Sequence, residues 1–324
     1  MKPKPSQSRL LTERLAPQIH FVSGKGGVGK SVFSCALALH FRQQGQKVLL
    51  AQVNAADSHS TLLRLNEIPD DVQEVEPDFY AVNTRPEQAM REYALMTLKF
   101  EALYRATFEN RLTKRFLRFI PSLAELTMLG KLWFHAEEKD DDQNPRFDKV
   151  IIDAPSTGHG LGFMRISQIV RDIVHVGPMY EKASEMAQTF EDPERSALHV
   201  VTLPEEMPTN ETLSFLRAVE QNPGPPPATL VLNAWPNLLL SERLRACLDA
   251  KNQEEKEVAE VSSLIDVVQR RCTREELALE QRVRLEENVS DIPLWTLPHT
   301  VAANFGRAEV ESLAHALAAQ LENA

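Results

Sequence analysis

Cysteine is scarce in this chain: of 324 residues only Cys35, Cys247 and Cys272 carry a thiol, and no two are spaced as a pair. Such scatter excludes a disulfide framework and the usual zinc-knuckle and iron–sulfur ligand sets, and it fits a reducing compartment. Long apolar runs are missing too, since no uncharged stretch approaches the ~18 residues of a membrane-spanning helix. Positive charge is outweighed, with 36 Lys and Arg against 46 Asp and Glu and a net charge of −10, so direct nucleic-acid binding is not expected. Residues Met1 to Pro17 hold proline, lysine and serine around no apolar core, which reads as a flexible tail rather than a signal peptide or anchor. No internal repeat is visible. The expectation is one cytoplasmic domain over 18–324, large enough to bury a sizeable core.

What the chain does have is a glycine cluster in a telling place. Gly24-Lys25-Gly26-Gly27-Val28-Gly29-Lys30-Ser31 follows the short apolar run Gln18 to Val22 and precedes the amphipathic stretch Val32 to Phe41. Strand, loop and helix in that order are what a phosphate-binding loop requires. The glycines let successive N–H groups turn inward on phosphate oxygens, and the helix N-terminus adds unpaired donors and partial positive charge. Lys30 is placed to reach β- and γ-phosphates, and the Ser31 hydroxyl to hold Mg²⁺. Lys25 adds a second cation, costly beside the first unless phosphate neutralises it.

Further along, Lys47 to Val53 reads as a second buried strand, which completes a βαβ pattern and predicts a parallel sheet flanked by helices. Strands are also expected at Asp78 to Val82, Phe147 to Asp153, Asp172 to Val176, Leu198 to Leu203, Thr229 to Asn233 and Leu294 to Leu297. Between about 86 and 140 the period turns helical, with Met90, Tyr93, Phe100, Leu103 and Tyr104 on one stripe and Leu123, Leu126, Leu129 and Trp133 on another. This is a helical insertion. A second, highly charged helical stretch spans about 241–287, after the rigid turn Pro223 to Pro227. Asp153 ends an apolar strand in Asp153-Ala154-Pro155-Ser156-Thr157-Gly158-His159, where a carboxylate can orient the water shell of Mg²⁺. Gly158 would let a backbone N–H approach a γ-phosphate and move when it leaves.

Together these residues resemble the ArsA/GET family of ATPases, which includes the arsenite-pump ATPase and the eukaryotic targeting factor for tail-anchored membrane proteins. Lys25 within Gly24 to Ser31 and the segment Asp153 to His159 are the most specific parts. Leu203-Pro204-Glu205-Glu206 through Glu211-Thr212, Val231-Leu232-Asn233 and Leu297-Pro298-His299 support it. The resemblance implies a P-loop NTPase of the deviant Walker A class that binds ATP or ADP with Mg²⁺ and works as a dimer. It implies that Asn233 bonds the adenine edge, that backbone near Pro298 lines the base pocket, and that Lys25 reaches the partner's ATP. The same lysine can equally serve its own phosphates.

The chain departs from that family in two places. The first switch normally carries an aspartate directly after the second strand, where it positions the attacking water, but here the position is Asn54. An amide cannot accept a proton as a carboxylate does. Asp57, three residues on, is the carboxylate that a displaced loop could bring to this role, and equally an ordinary turn or N-cap residue. Slow or partner-dependent hydrolysis is therefore expected. The family's thiol sets are also absent, which argues against arsenite sensing and a zinc-joined dimer. In the targeting factor, the corresponding insert shields a client's transmembrane helix. Here Met90, Met96, Met128, Phe100, Phe108, Phe116 and Phe119 suit such a groove or plain core alike. Lys99, Arg105, Arg111, Lys114, Arg115 and Arg118 suit a solvated face, an acidic partner or a peripheral membrane contact. The readings that remain are a dimeric ATP switch with a protein client, a hydrolysis-poor regulatory subunit paired with an active relative, and a partition-type positioning ATPase.

Overall fold

The apolar runs line up as one sheet in the computed structural model, which describes residues 7–98, 123–173, 175, 178–237 and 259–322. Its strands are β1 (Ile19–Gly24), β2 (Val48–Val53), β3 (Gln73–Glu76), β4 (Phe79–Thr84), β5 (Lys149–Asp153), β6 (Ser196–Thr202), β7 (Pro227–Trp235) and β8 (Leu294–Pro298). They lie in the order β3-β4-β2-β5-β1-β6-β7-β8. All neighbours run parallel except β3, which pairs antiparallel to β4. Strands covered on both faces read as near-continuous apolar runs, which is why β1, β2 and β5 were visible in the sequence. The expected α/β class with a mostly parallel sheet is what forms.

One face is covered by α1 (Gln7–Arg14), α2 (Lys30–Gln43), α3 (His59–Leu63) and α11 (Arg307–Glu322), which bury Leu11, Phe33, Leu37, Leu63, Leu313 and Leu317 with Val22 and Leu50. The other is covered by α4 (Pro86–Leu98), α5 (Leu123–Glu137), α6 (Thr157–Met164), α7 (Ile166–Ile173), α8 (Pro178–Glu191), α9 (Glu206–Glu220) and α10 (Ala259–Asn288). Phe21 of β1 meets Phe190 of α8 edge-on with centroids 5.1 Å apart, and full burial of such a ring contributes roughly 1.5–3 kcal/mol.

Several expectations need correction. The stretch read as a flexible tail contains α1, whose Leu11 is buried together with Leu15 just beyond it. Its end is held by the buried Lys149 ammonium of β5, which donates to the carbonyls of Leu15, Ala16 and Pro17 at 2.6, 2.8 and 2.7 Å. These carbonyls belong to the connection between α1 and β1, and a buried ammonium among them satisfies polar groups that are costly to leave unpaired. The strand expected at Asp172 to Val176 is not there: Asp172 and Ile173 end α7, because Ile166, Ile169 and Val170 repeat at helical spacing against the core. Val174 and Val176 lie outside the described residues. Strand β3 was not foreseen, since Gln73-Glu74-Val75-Glu76 offers no apolar face to notice.

Of the helical insertion, α4 and α5 are described and pack against each other. Lys131 of α5 joins them by donating to Glu92 Oε1 at 2.9 Å and to the Asp70 carbonyl at 3.0 Å. Leu126, Met128, Leu129 and Leu132 are buried in the main core, so this part of the stripe is interior packing. Residues 99–122, with Phe100, Phe108, Phe116, Phe119 and the basic positions from Lys99 to Arg118, lie outside the described residues. The charged stretch near 241–287 is described from Ala259 onward as α10.

Candidate functional site: a glycine loop and a strand-end carboxylate

The sheet order sets β1 between β5 and β6, so the loop leaving Gly24 emerges beside Asp153 at the end of β5. Gly24 has φ +154° and Gly29 has φ +91°. A Cβ at Gly24 would strike the Val201 carbonyl, and one at Gly29 the Asn233 amide. Glycine is required at both points for conformation and for space. The loop then enters α2, whose first residue is Lys30, so the N–H groups of its first turn are left for a ligand.

Lys30 Nζ folds over the loop and donates to the Lys25 carbonyl at 3.0 Å. Burial lowers its pKa, with Asp153 acting in the opposite direction. Ser31 Oγ donates to Asp153 Oδ2 at 2.6 Å. Asp153 is 7 % exposed, and its Oδ1 has no hydrogen-bond partner among the described residues. A hydroxyl and a half-paired buried carboxylate, both hard oxygen donors, are what a divalent cation and its waters would satisfy. Glycine N–H groups, the helix terminus and Lys30 form a matching anion cradle.

The remaining expected residues divide clearly. Val28 and Val32 pack on the core below the loop, Val28 fully. Asn233 reaches the loop from β7, donating from Nδ2 to the Val28 carbonyl at 2.8 Å. Gly26 and Gly27 are exposed at the loop tip, and Gly158 is exposed in the first turn of α6. Pro298 sits at the end of β8, opposite Trp235, one strand beyond Asn233. Lys25 turns away from the cradle: Nζ donates to Glu211 Oε1 at 2.7 Å and lies 2.9 Å from Met207 Sδ, both on α9.

Asn54 is exposed with φ +43°, and its N–H donates to the Thr84 carbonyl at 2.9 Å. Asp57 takes the cap role. Its Oδ1 accepts the Ser60 N–H at 3.0 Å and its Oδ2 the Ile68 N–H at 2.9 Å. Burial raises its pKa, but these hydrogen bonds outweigh it and leave the carboxyl below the ordinary range. With both oxygens committed to backbone, Asp57 is placed as a helix cap rather than as a catalytic carboxylate.

Sequence reasoning missed His59, which is fully buried and places Nε2 3.0 Å from Asp153 Oδ2. It also missed Gln52 and Asn83, whose side-chain amides donate to the carbonyls of Ala56 and Ala55. Polar residues inside otherwise apolar strands were the available signal for those two. His59 carried none, because only the fold brings α3 to β5. Among the described residues no group of three or more His, Cys, Asp or Glu comes together; Cys35 is buried, Cys272 is partly exposed, and Cys247 is outside them.

The family described as anion-transporting ATPase matches residues 17–178, half of the chain. The ATPase BagA of Mycobacterium tuberculosis is 28 % identical over 211 residues, covering 63 % of this chain and 61 % of that protein. An arsenical pump-driving ATPase of Acidiphilium multivorum is 27 % identical over 227 residues, 63 % of this chain and 38 % of its own length. The ATPase GET3 of Kluyveromyces lactis is 26 % identical over 154 residues, 45 % of this chain and 44 % of that one. The chain thus spans less than two thirds of the length of these relatives.

Proposed function

The chain belongs to the anion-transporting ATPase family, and on that premise we propose that it is a cytoplasmic, dimeric ATP-hydrolysing switch that couples nucleotide state to a protein client or partner. The observation that carries this reading is the 2.6 Å bond from Ser31 Oγ to Asp153 Oδ2 at the mouth of a glycine loop bridged by Lys30. In this reading the loop N–H groups and Lys30 bind the β- and γ-phosphates of ATP. Ser31 holds Mg²⁺ directly and Asp153 through its waters; the ion, when bound, neutralises charge that develops on the phosphates. Asn233 and the backbone at Pro298 serve the base, and Gly158 presents its N–H to the γ-phosphate. Lys25 leaves Glu211 on dimer closure and reaches the partner's nucleotide, so hydrolysis depends on assembly.

A second reading, a hydrolysis-poor regulatory subunit paired with an active relative, draws on one observation. The first switch offers Asn54, and its nearby carboxylate, Asp57, is spent on two backbone N–H groups. Neither residue can accept a proton from water as a free carboxylate would. Equilibrium binding of a fluorescent ATP analogue tests the shared foundation. Saturable binding by the wild-type chain that Lys30→Ala weakens at least about tenfold, the loss of one charge-assisted contact or more, supports both readings. Equal binding by the two proteins overturns both.

A further inference from the structure

Residues 54–58, the first switch loop, are held from beneath by three neighbouring strands. Asp153 of β5 lies opposite Gln52 of β2, and Gln52 opposite Asn83 of β4. Residues paired in this way leave the same face of the sheet, and all three are buried. Gln52 and Asn83 grip the loop by its backbone, the latter at 3.0 Å from the Ala55 carbonyl. Asp153 reaches the same segment through a side chain instead. Its Oδ2 meets His59 Nε2 at 3.0 Å, and His59 is the first residue of α3, directly after the loop. The same oxygen accepts the Ser31 hydroxyl. One carboxylate oxygen is therefore shared between the phosphate loop and the first switch.

A carboxylate oxygen facing a ring nitrogen accepts, so Nε2 of His59 carries a proton toward Asp153. Among the described residues neither His59 Nδ1 nor Asp153 Oδ1, both buried, has a hydrogen-bond partner. A histidine wanted only for packing would have no reason to meet a carboxylate at hydrogen-bond distance, since burying both polar groups costs free energy that an aliphatic side chain avoids. The pairing fixes the carboxylate: with Oδ2 taken by two donors, Oδ1 is the oxygen left over.

We propose that His59 is a positioning residue for the metal site: its Nε2–H holds Asp153 so that Oδ1 faces the water shell of the divalent cation, which ties the placement of α3 to metal occupancy. The proposal rests on the reading of Ser31 and Asp153 as the metal-holding pair. Partners of a metal's direct ligands commonly change its affinity by about 10–100-fold; Asp153 acts through the ion's waters, so His59 stands one shell further out and the lower end of that range is its ceiling.

The test titrates Mg²⁺ while following binding of a fluorescent ATP analogue to the full chain, with and without chelator. His59→Ala is expected to raise the Mg²⁺ concentration for half-maximal binding several-fold, up to about tenfold, and to leave metal-free nucleotide binding at the wild-type level. His59→Gln, which keeps an N–H donor, is expected to recover most of the shift. Asn83→Ala, which cuts a loop tie without touching Asp153, is expected to stay near wild type. A folded His59→Ala with wild-type Mg²⁺ dependence overturns the proposal, and so does an Asn83→Ala shift of equal size, because loosening of the loop would then suffice. If His59→Ala does not fold, His59→Phe fills the volume without a donor and carries the same comparison. Wild-type binding that ignores Mg²⁺ would instead overturn the metal reading itself, a result separate from the outcomes above.

Discussion

A methyl group at Gly29 would stand where the Asn233 amide now lies, on a backbone at φ +91°. Gly29→Ala is accordingly expected to displace Asn233 and destabilise the chain by about 1–3 kcal/mol, the usual cost of a strained left-handed residue, with loss of nucleotide binding measured alongside thermal unfolding. Asp57 gives the opposite pattern. Asp57→Ala removes two backbone caps and is expected to cost about 1–2 kcal/mol of stability in a denaturant titration, while turnover per folded molecule persists. Loss of turnover at unchanged stability would restore Asp57 to a catalytic role. Three of the buried histidines contribute to the response to acid. Burial pulls His20 well below its ordinary value, His40 to about 4 and His199 to about 3. Each is harder to protonate folded than unfolded, so between about pH 6.5 and 4 the unfolded chain binds more protons and stability falls as pH drops. A group protonated only in the unfolded chain contributes at most about 1.4 kcal/mol per pH unit, and unfolding curves at stepped pH would show the sum as a falling midpoint.

Elements were legible where local chemistry alone determines them. β1, the glycine loop and α2 follow from an apolar run, obligatory glycines and a helical period, all adjacent in the chain. α1 did not show itself, because its docking depends on Lys149, a residue 134 positions away from Leu15. The same holds for His59, whose partner Asp153 is 94 positions distant. A short strand such as β3, whose one apolar side chain is Val75, is stabilised by pairing with β4 rather than by its own pattern. The α1 docking makes a prediction at this scale. Leu11 is 1 % exposed, so Leu11→Ala is expected to destabilise the chain by about 2–5 kcal/mol in urea unfolding. An effect near zero would mean that α1 is detached in solution.

At the scale of the molecule, the chemistry converges at one end of the sheet, where β1, β5, β2 and β7 deliver Gly24, Asp153, Gln52 and Asn233. The glycine loop and the strand-end aspartate were readable from the sequence as elements, but the direction of Lys25 was not, since Glu211 and Met207 come from a helix far along the chain. The Lys25–Glu211 pair is partly exposed and contributes about 0–1 kcal/mol. Lys25→Ala is therefore expected to leave thermal stability nearly unchanged while turnover drops and loses its dependence on protein concentration, which a dilution series would measure. The most direct test of the switch itself is steady-state Mg²⁺-ATP hydrolysis by the full chain against the Lys30→Ala background. The account predicts turnover above that background; ATP bound at saturation with turnover no higher than Lys30→Ala would contradict it and leave a regulatory subunit in its place.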